Sequence, residues 1–391
     1  MRKRREMDGY LKVVIIGGGS NYTPEVVNEF LRRKDELPIK ELWLVDIDEG
    51  WEKVNIIAAQ AERTLRKSGS EIKLFVTLDR RRALKGADFI CSQFRAGCLD
   101  GRIRDERVSM KYGLIVRETN GLSGFASACR TIPVMLDICK DIEQLCPEAW
   151  LLNFTNPSGM VTEAVLKYTH VKVVGLCHVP AIMEQGINSL LNARPGEALI
   201  QFAGLNHFIF TCQVLLNGED KHDQVLEEIR KGNDKVVPSS IPVPEWPNPA
   251  LDVRPDELEL RGGLYYSESI GELMASIYND KRTIMHVNTR NNGTIYGLPN
   301  ECAVEVSSVI TKSGPLPLNV TPFPENIQRQ IQLMKEYESL TIEAAITGDI
   351  NLAHRALILN PVVTTDNLLQ DALFDTVEEN IDYMPQFAHL L

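Results

Sequence analysis

The chain has 391 residues, 44% of them hydrophobic and 24% charged, enough for two domains and a sizeable core. Its formal net charge of −11 argues against a nucleic-acid binder, which would present a basic face. After the short basic start, Met1 to Arg5, comes no apolar run of signal-peptide length, and the eight cysteines include no Cys-x-x-Cys pair, so a reduced, cytoplasmic protein without membrane contact is expected.

Val13–Ile16 is an apolar run that enters Gly17, Gly18 and Gly19, followed by Ser20, Asn21 and a helical pattern over Glu25–Arg33. A buried parallel strand turning tightly into a helix presents free backbone N–H groups and the positive end of the helix dipole, which suits a pyrophosphate. Tyr22 stands where the usual third glycine would be. The next run, Leu42–Val45, ends in Asp46, the place where a dinucleotide fold holds ribose hydroxyls. A carboxylate there repels a 2′-phosphate, so NAD is expected over NADP. Apolar residues three and four apart predict a helix over Trp51–Lys67, and strands are predicted at Ile72–Thr77, Phe89–Gln93, Trp150–Phe154 and Val173–Leu176.

This alternation predicts an α/β fold, with an N-terminal Rossmann-like, doubly wound parallel sheet over 1–200 and its ligand at the carboxyl ends of the strands. Over 201–391 the pattern changes to an α+β substrate and oligomerisation domain. It has a strand at Phe208–Leu216, a proline-rich connection over 238–255 and helices near 267–278 and 325–347. A strand at Ala303–Thr311 and closing helices near 350–359 and 366–379 complete it.

Polar clusters follow the strands. Arg95, in Phe94-Arg95-Ala96-Gly97, and Arg102 offer guanidinium forks to a carboxylate or phosphate, or form surface ion pairs. Asn153 and Asn156, in Asn153-Phe154-Thr155-Asn156-Pro157, offer amides to a cofactor or to sugar hydroxyls, or cap a turn. Cys177 and His207 are candidates to share a divalent metal. Two ligands about 30 residues apart match no standard zinc spacing, and a core thiol and an ordinary histidine are the bland alternative. Val287-Asn288-Thr289-Arg290-Asn291-Asn292-Gly293 crowds amides and an arginine into one turn, a density suited to a polyol or phosphate.

The ordered motifs GGGSNYTPE, LVDID, QFRAG, ETNG, NFTNPSGMVTEAV, GLNH, RGG-YYS and VNTRNNG resemble glycoside hydrolase family 4, the NAD- and metal-dependent glycosidases. Within that family the chain is most similar to 6-phospho-β-glucosidases. The resemblance implies that Gly17, Gly18, Gly19, Ser20, Asn21, Asp46 and Asn153 hold NAD. It implies that Cys177 and His207 hold a divalent metal, usually Mn2+, and that Arg95, Arg102, Asn156, Asn206 and Arg290 contact a phosphorylated disaccharide or aryl glucoside. The implied reaction takes hydride from C3 of the sugar to NAD, removes the C2 proton with a tyrosinate and expels the C1 substituent. Water then adds and the hydride returns, so the net change is hydrolysis. Glu118 matches the acid that supports the family's tyrosine, and a dimer or tetramer is implied.

Two positions depart from the family pattern. His178 replaces the Asp or Asn that follows the metal cysteine. It either protonates a leaving oxygen or acts as a spacer. The family's base comes from a tyrosine-rich segment ahead of the RGG motif, yet 208–260 holds no tyrosine here. The base then falls to Tyr265 or Tyr266, or is missing. A shortened member that binds NAD or sugar phosphate without turnover is one alternative reading, and a malate- or lactate-type dehydrogenase is another.

Overall fold

The computed structural model describes residues 9–194, 196–231, 263–363 and 368–390. Strand β1 (Leu11–Ile16) is buried along its whole length, as the centre of a parallel sheet must be. It feeds α1 (Thr23–Arg32), where Pro24 occupies the first turn and its missing N–H costs nothing. Then come β2 (Ile39–Val45), α2 (Trp51–Lys67), β3 (Lys73–Thr77), α3 (Arg80–Leu84), β4 (Phe89–Ser92) and α4 (Cys98–Lys111). After α5 (Gly121–Leu145) follow β5 (Trp150–Asn153), α6 (Ser158–Tyr168) and β6 (Lys172–Gly175). The strands pair in the parallel order β3-β2-β1-β4-β5-β6. This is the dinucleotide-binding order, with its crevice where the winding reverses between β1 and β4. The six strands expected from the sequence all form, their ends moved by only a few residues.

Helix α5 was not foreseen. Its first half is buried nearly all round, from Gly121 to Ile132, so it lacks the one-sided apolar stripe that identifies a surface helix. Among the described residues it is the one helix long and apolar enough to cross a membrane, but it is largely buried against the sheet and its neighbours.

The chain continues through α7 (Val179–Leu190), β7 (Ala198–Leu205), β8 (Phe208–Leu216), β9 (Glu219–Asp220) and α8 (His222–Arg230). Helix α9 (Gly263–Asn279) leads to β10 (Ile284–Arg290), β11 (Ala303–Thr311) and β12 (Gly314–Pro317), and α10 (Glu325–Thr347), α11 (Ile350–Leu359) and α12 (Leu369–Glu379) close the fold. The proline-rich connection lies outside the described residues. Strand β10 runs antiparallel beside β6, with Asn288 opposite Gly175, and β11 and β7 extend the same twelve-stranded sheet. Gly175 permits this approach: a Cβ there would stand 2.2 Å from Thr162 Oγ1 and 2.8 Å from Asn288 Cβ. The polar cluster expected as one turn is therefore strand as far as Arg290, with the turn beginning at Asn291.

Alternation along β1 sends Val14 and Ile16 into one apolar core, with α5, α6, α10, α11 and α12, and Val13 and Ile15 into another, with α1, α2 and α9. A buried ion cluster crosses the first core: Lys335 Nζ of α10 lies 2.7 Å from Glu163 Oε2 of α6 and 2.5 Å from Glu338 Oε2.

Candidate active site

The glycine turn sits over the crevice between β1 and β4. Gly17 has φ +85, and a Cβ there would lie 2.8 Å from Phe94 N; at Gly18 it would lie 2.7 Å from Leu44 Cβ. The turn does not leave its N–H groups free, as the sequence suggested. Those of Gly17 and Gly18 both donate to Val45 O at 2.9 Å, and that of Gly19 donates to Asp46 Oδ2 at 2.7 Å. The glycines act instead by allowing backbone to lie against β2 and β4. Asp46 stays half-buried at the end of β2, beside the turn. Ser20 accepts from Tyr22 N at 3.3 Å, and Asn21 is exposed. Asn153 is a correction: it is fully buried and spends its amide internally. Its Oδ1 accepts from Ser92 Oγ (2.8 Å) and Thr155 N (3.1 Å), and its Nδ2 donates to Thr162 Oγ1 (3.2 Å), so it braces the loop after β5.

At the carboxyl end of β6, Cys177 Sγ lies 3.3 Å from His207 Nε2, which stands at the tip of the β7–β8 hairpin. Both atoms can reach one cation at ordinary bond lengths of about 2.0–2.3 Å. His207 as a residue is exposed, but crowding of its ring lowers it, with His178 and Arg117 adding to that effect and Glu118 opposing it, so its imidazole is neutral near pH 7 and has a lone pair to offer. Burial pushes the Cys177 thiol far up and the Glu305 carboxyl adds to this, while N–H groups of Val179 and His178 and the Asn206 side chain favour the thiolate. A thiol so placed ionises readily only with a cation beside it. Among the described residues no set of three or more His, Cys, Asp and Glu forms a fuller ligand shell.

Opposite this pair, Arg95 Nη1 lies 2.6 Å from Glu118 Oε1, and Arg102 Nη1 lies 3.5 Å from Glu118 Oε2. Burial alone would raise the Glu118 carboxyl. Arg95 and Arg102 outweigh it and hold the group below the usual carboxylate range, and Asn156 hydrogen-bonds to it. His178, at the start of α7, is lowered by burial, with Glu118 opposing. Arg95, Asn156, Cys177 and His178 follow strand ends, and Arg102 from α4, Glu118 from the loop before α5 and His207 from the β7–β8 turn come to the same place.

Three assignments need correction or restriction. Arg290 is at the wrong end. Because β10 runs against β6, the two residues from Asn288 to Arg290 lead away from the carboxyl ends, and Arg290 Nη2 donates to Leu166 O, late in α6, at 2.8 Å. Tyr266 is a packing residue: it is buried, its ring centroid is 4.5 Å from that of Tyr22 and 4.0 Å from that of Phe154, and its hydroxyl donates to Gln93 Oε1 at 2.6 Å. Burial pushes its phenol well above the usual value, the reverse of what a base needs. This contact also explains why Tyr22 replaces a glycine. The side chain of Tyr265 lies outside the described residues.

Sequence reasoning missed Arg117, whose charge reaches His207, and the Glu305 carboxylate that joins the Asn206 and Asn288 amides beneath the pair. Asn206 Nδ2 donates to Glu305 Oε2 at 3.3 Å and Asn288 Nδ2 to Glu305 Oε1 at 3.1 Å. The available signal was a lone carboxylate in the apolar strand Ala303-Val304-Glu305-Val306, since a buried acid without a purpose is rare.

Comparison with known proteins fits this geometry. The family 4 glycosyl hydrolase profile matches residues 12–193, and the profile of that family's C-terminal domain matches residues 242–363. A probable 6-phospho-β-glucosidase of Bacillus subtilis is 42% identical, covering 96% of this chain and 98% of the relative. The 6-phospho-β-glucosidase of Escherichia coli is 36% identical, covering 98% of each. The solved 6-phospho-β-glucosidase of Thermotoga maritima, in a form with manganese, NAD+ and glucose 6-phosphate, superposes with a TM-score of 0.81 at 28% identity, over 96% of this chain and 99% of that one. The malate dehydrogenase of Aeropyrum pernix, at 17% identity and a TM-score of 0.59, shares the fold alone. The chain belongs to glycoside hydrolase family 4.

Proposed function

We propose that this protein hydrolyses 6-phosphorylated β-glucosides in the cytoplasm, using NAD and a divalent metal, usually manganese, and acting as a homo-oligomer. The observation that carries the reading is the 3.3 Å approach of Cys177 Sγ to His207 Nε2 beside the Arg95–Glu118–Arg102 cluster, at the same strand ends as the glycine turn. When bound, NAD and the metal supply hydride transfer and Lewis-acid stabilisation of negative charge on the sugar oxygens. Cys177 and His207 hold the cation. Arg95 and Arg102 present the donors that orient an anionic substrate, and Glu118 keeps both guanidinium groups aimed at one point. Asn156 supplies an amide for sugar hydroxyls, whereas the buried Asn206, placed with the substrate contacts by the resemblance, spends its amide on Glu305 and Cys177 and serves the site from beneath. His178, neutral near pH 7 because burial lowers it, is placed to exchange a proton with a substrate oxygen. Of the two tyrosines in the RGG motif, Tyr265 is the candidate for the C2 base once packing claims Tyr266, and the alternative is that the base is missing or replaced. We place the division between the cofactor and substrate domains near residue 200.

The test is release of glucose 6-phosphate from a phosphorylated disaccharide, and of p-nitrophenol from a phosphorylated aryl β-glucoside, with NAD and manganese present. Both products are expected, chelation should stop both, and no net NADH should accumulate. The alignment with the Bacillus subtilis relative runs over 432 positions, more than the 391 residues of this chain, so that relative carries residues with no counterpart here. Binding of NAD and glucose 6-phosphate with zero turnover would mean that this loss removed the chemistry.

Asp46 sets the cofactor preference. Its Oδ2 accepts from Gly19 N at 2.7 Å and its Oδ1 from Ile47 N at 3.0 Å, which leaves lone pairs for ribose hydroxyls. Asp46→Ala is expected to weaken NAD about tenfold or more, the worth of a hydrogen bond to a charged group, and to narrow the gap between NAD and NADP. Fluorescence titration of both cofactors checks it, and an unchanged ratio would remove Asp46 from this role.

A further inference from the structure

Glu305 has no part in the roles assigned above, yet it is 0% exposed in β11, between Val304 and Val306. Its two oxygens accept from Asn206 Nδ2 and Asn288 Nδ2, and the backbone N–H of His207 also donates to it. The first of these donors is itself tied to the site, because the Asn206 side chain hydrogen-bonds to Cys177. His207 occupies the tip of the turn that joins Leu205 to Phe208, at φ +60. A side chain in that left-handed region persists only where its surroundings over-determine it.

We propose that Glu305 is the positioning residue that fixes the Asn206–His207 turn so that the His207 imidazole stands opposite Cys177. This rests on the reading of Cys177 and His207 as ligands of one cation. Without the two carboxylate oxygens, three N–H donors would face a dry interior, and the turn would rotate to satisfy them. The reach of the side chain matters here more than its charge. Glu305→Asp withdraws the acceptors by one methylene. Glu305→Gln keeps the reach and one acceptor oxygen, and its amide N–H can be met by a flip of Asn288, whose Oδ1 is buried without a partner among the described residues.

The test is calorimetric titration of Mn2+, and separately of NAD, into the wild type and both variants. The Mn2+ Kd is expected to rise about 10–100-fold in Glu305→Asp and to stay within about threefold in Glu305→Gln. The NAD Kd should hold in both, which separates positioning of the pair from general loss of structure. A wild-type Mn2+ Kd in Glu305→Asp overturns the proposal, as does weaker binding by Glu305→Gln than by Glu305→Asp. Should the Asp variant not fold, a Gln variant within about threefold supports the proposal and a loss of tenfold or more overturns it. Absence of Mn2+ binding by the wild type would instead refute the reading of the pair itself.

Discussion

Replacing Cys177 by alanine is expected to lower turnover on the order of 10³-fold, with NAD affinity and folding nearly unchanged. The thiol lies at the end of β6, 8% exposed, with Val179 N donating to its sulfur at 3.5 Å. Its removal leaves a small gap and no orphaned charge, so the stability cost is modest. On the proposed reading, what disappears is one of two protein ligands, and a single imidazole does not hold a cation against water. Manganese in excess should fail to restore the rate. The same argument gives a pH dependence in the wild type. Burial raises the thiol, so a cation must displace its proton, and metal affinity is expected to weaken as pH falls, by up to about tenfold per unit. His207, already neutral above about 4, adds no competing proton in the neutral range. Steady-state rates across a manganese titration, with NAD binding as the control, decide it. A Cys177→Ala enzyme that works at saturating metal would remove the thiolate from the site.

Lys335→Met is expected to destabilise the protein by about 3–5 kcal/mol. Lys335, Glu163 and Glu338 are all nearly fully buried, and Glu163 also accepts from Ala303 N at 2.9 Å. Removing the ammonium leaves two carboxylates in a dry core, each uncompensated. They respond by taking up protons. Burial already raises the Glu338 carboxyl in the intact protein, with Lys335 opposing and the neighbouring Glu163 adding to it, and without Lys335 it moves further up. The folded variant then binds more protons than the unfolded chain, so its stability falls as pH rises. The deficit should be larger near pH 8 than near pH 5, a comparison made by urea unfolding at both. An equal deficit at both values would mean that repulsion between the acids is not its cause.

The parallel half of the fold was legible because a strand buried on both faces is an unbroken apolar run, as in Val13-Val14-Ile15-Ile16. Asp46 and Cys177 could be located because each directly follows an apolar run, and Arg95 because it stands three residues past the end of β4, since parallel strands all end on the same side. The same logic failed at Arg290. Whether a residue after an apolar run points toward or away from the site depends on strand direction, and β10 enters the sheet reversed. That reversal is set by pairing with β6 and β11, which local pattern does not encode. Asn153 and Tyr266 were misassigned for a related reason. An amide or a phenol near a strand end reads as available, and only packing reveals that Ser92, Thr155 and Thr162 consume the one and Gln93 the other. Helix α5 escaped because burial on all sides erases periodicity.

The junction at Gly175 has a mechanical consequence. With β10 paired beside β6 at Asn288 and Gly175, and α6 and α10 joined by Lys335, a clamshell opening of the halves around a sugar would have to break both links. Local motion then falls to segments at the rim, such as the stretch from Ile115 to Glu118 that carries the exposed Arg117, rather than to the halves as bodies. Slow amide exchange across the seam during turnover, with fast exchange at that rim, is the dynamic signature of such an undivided frame.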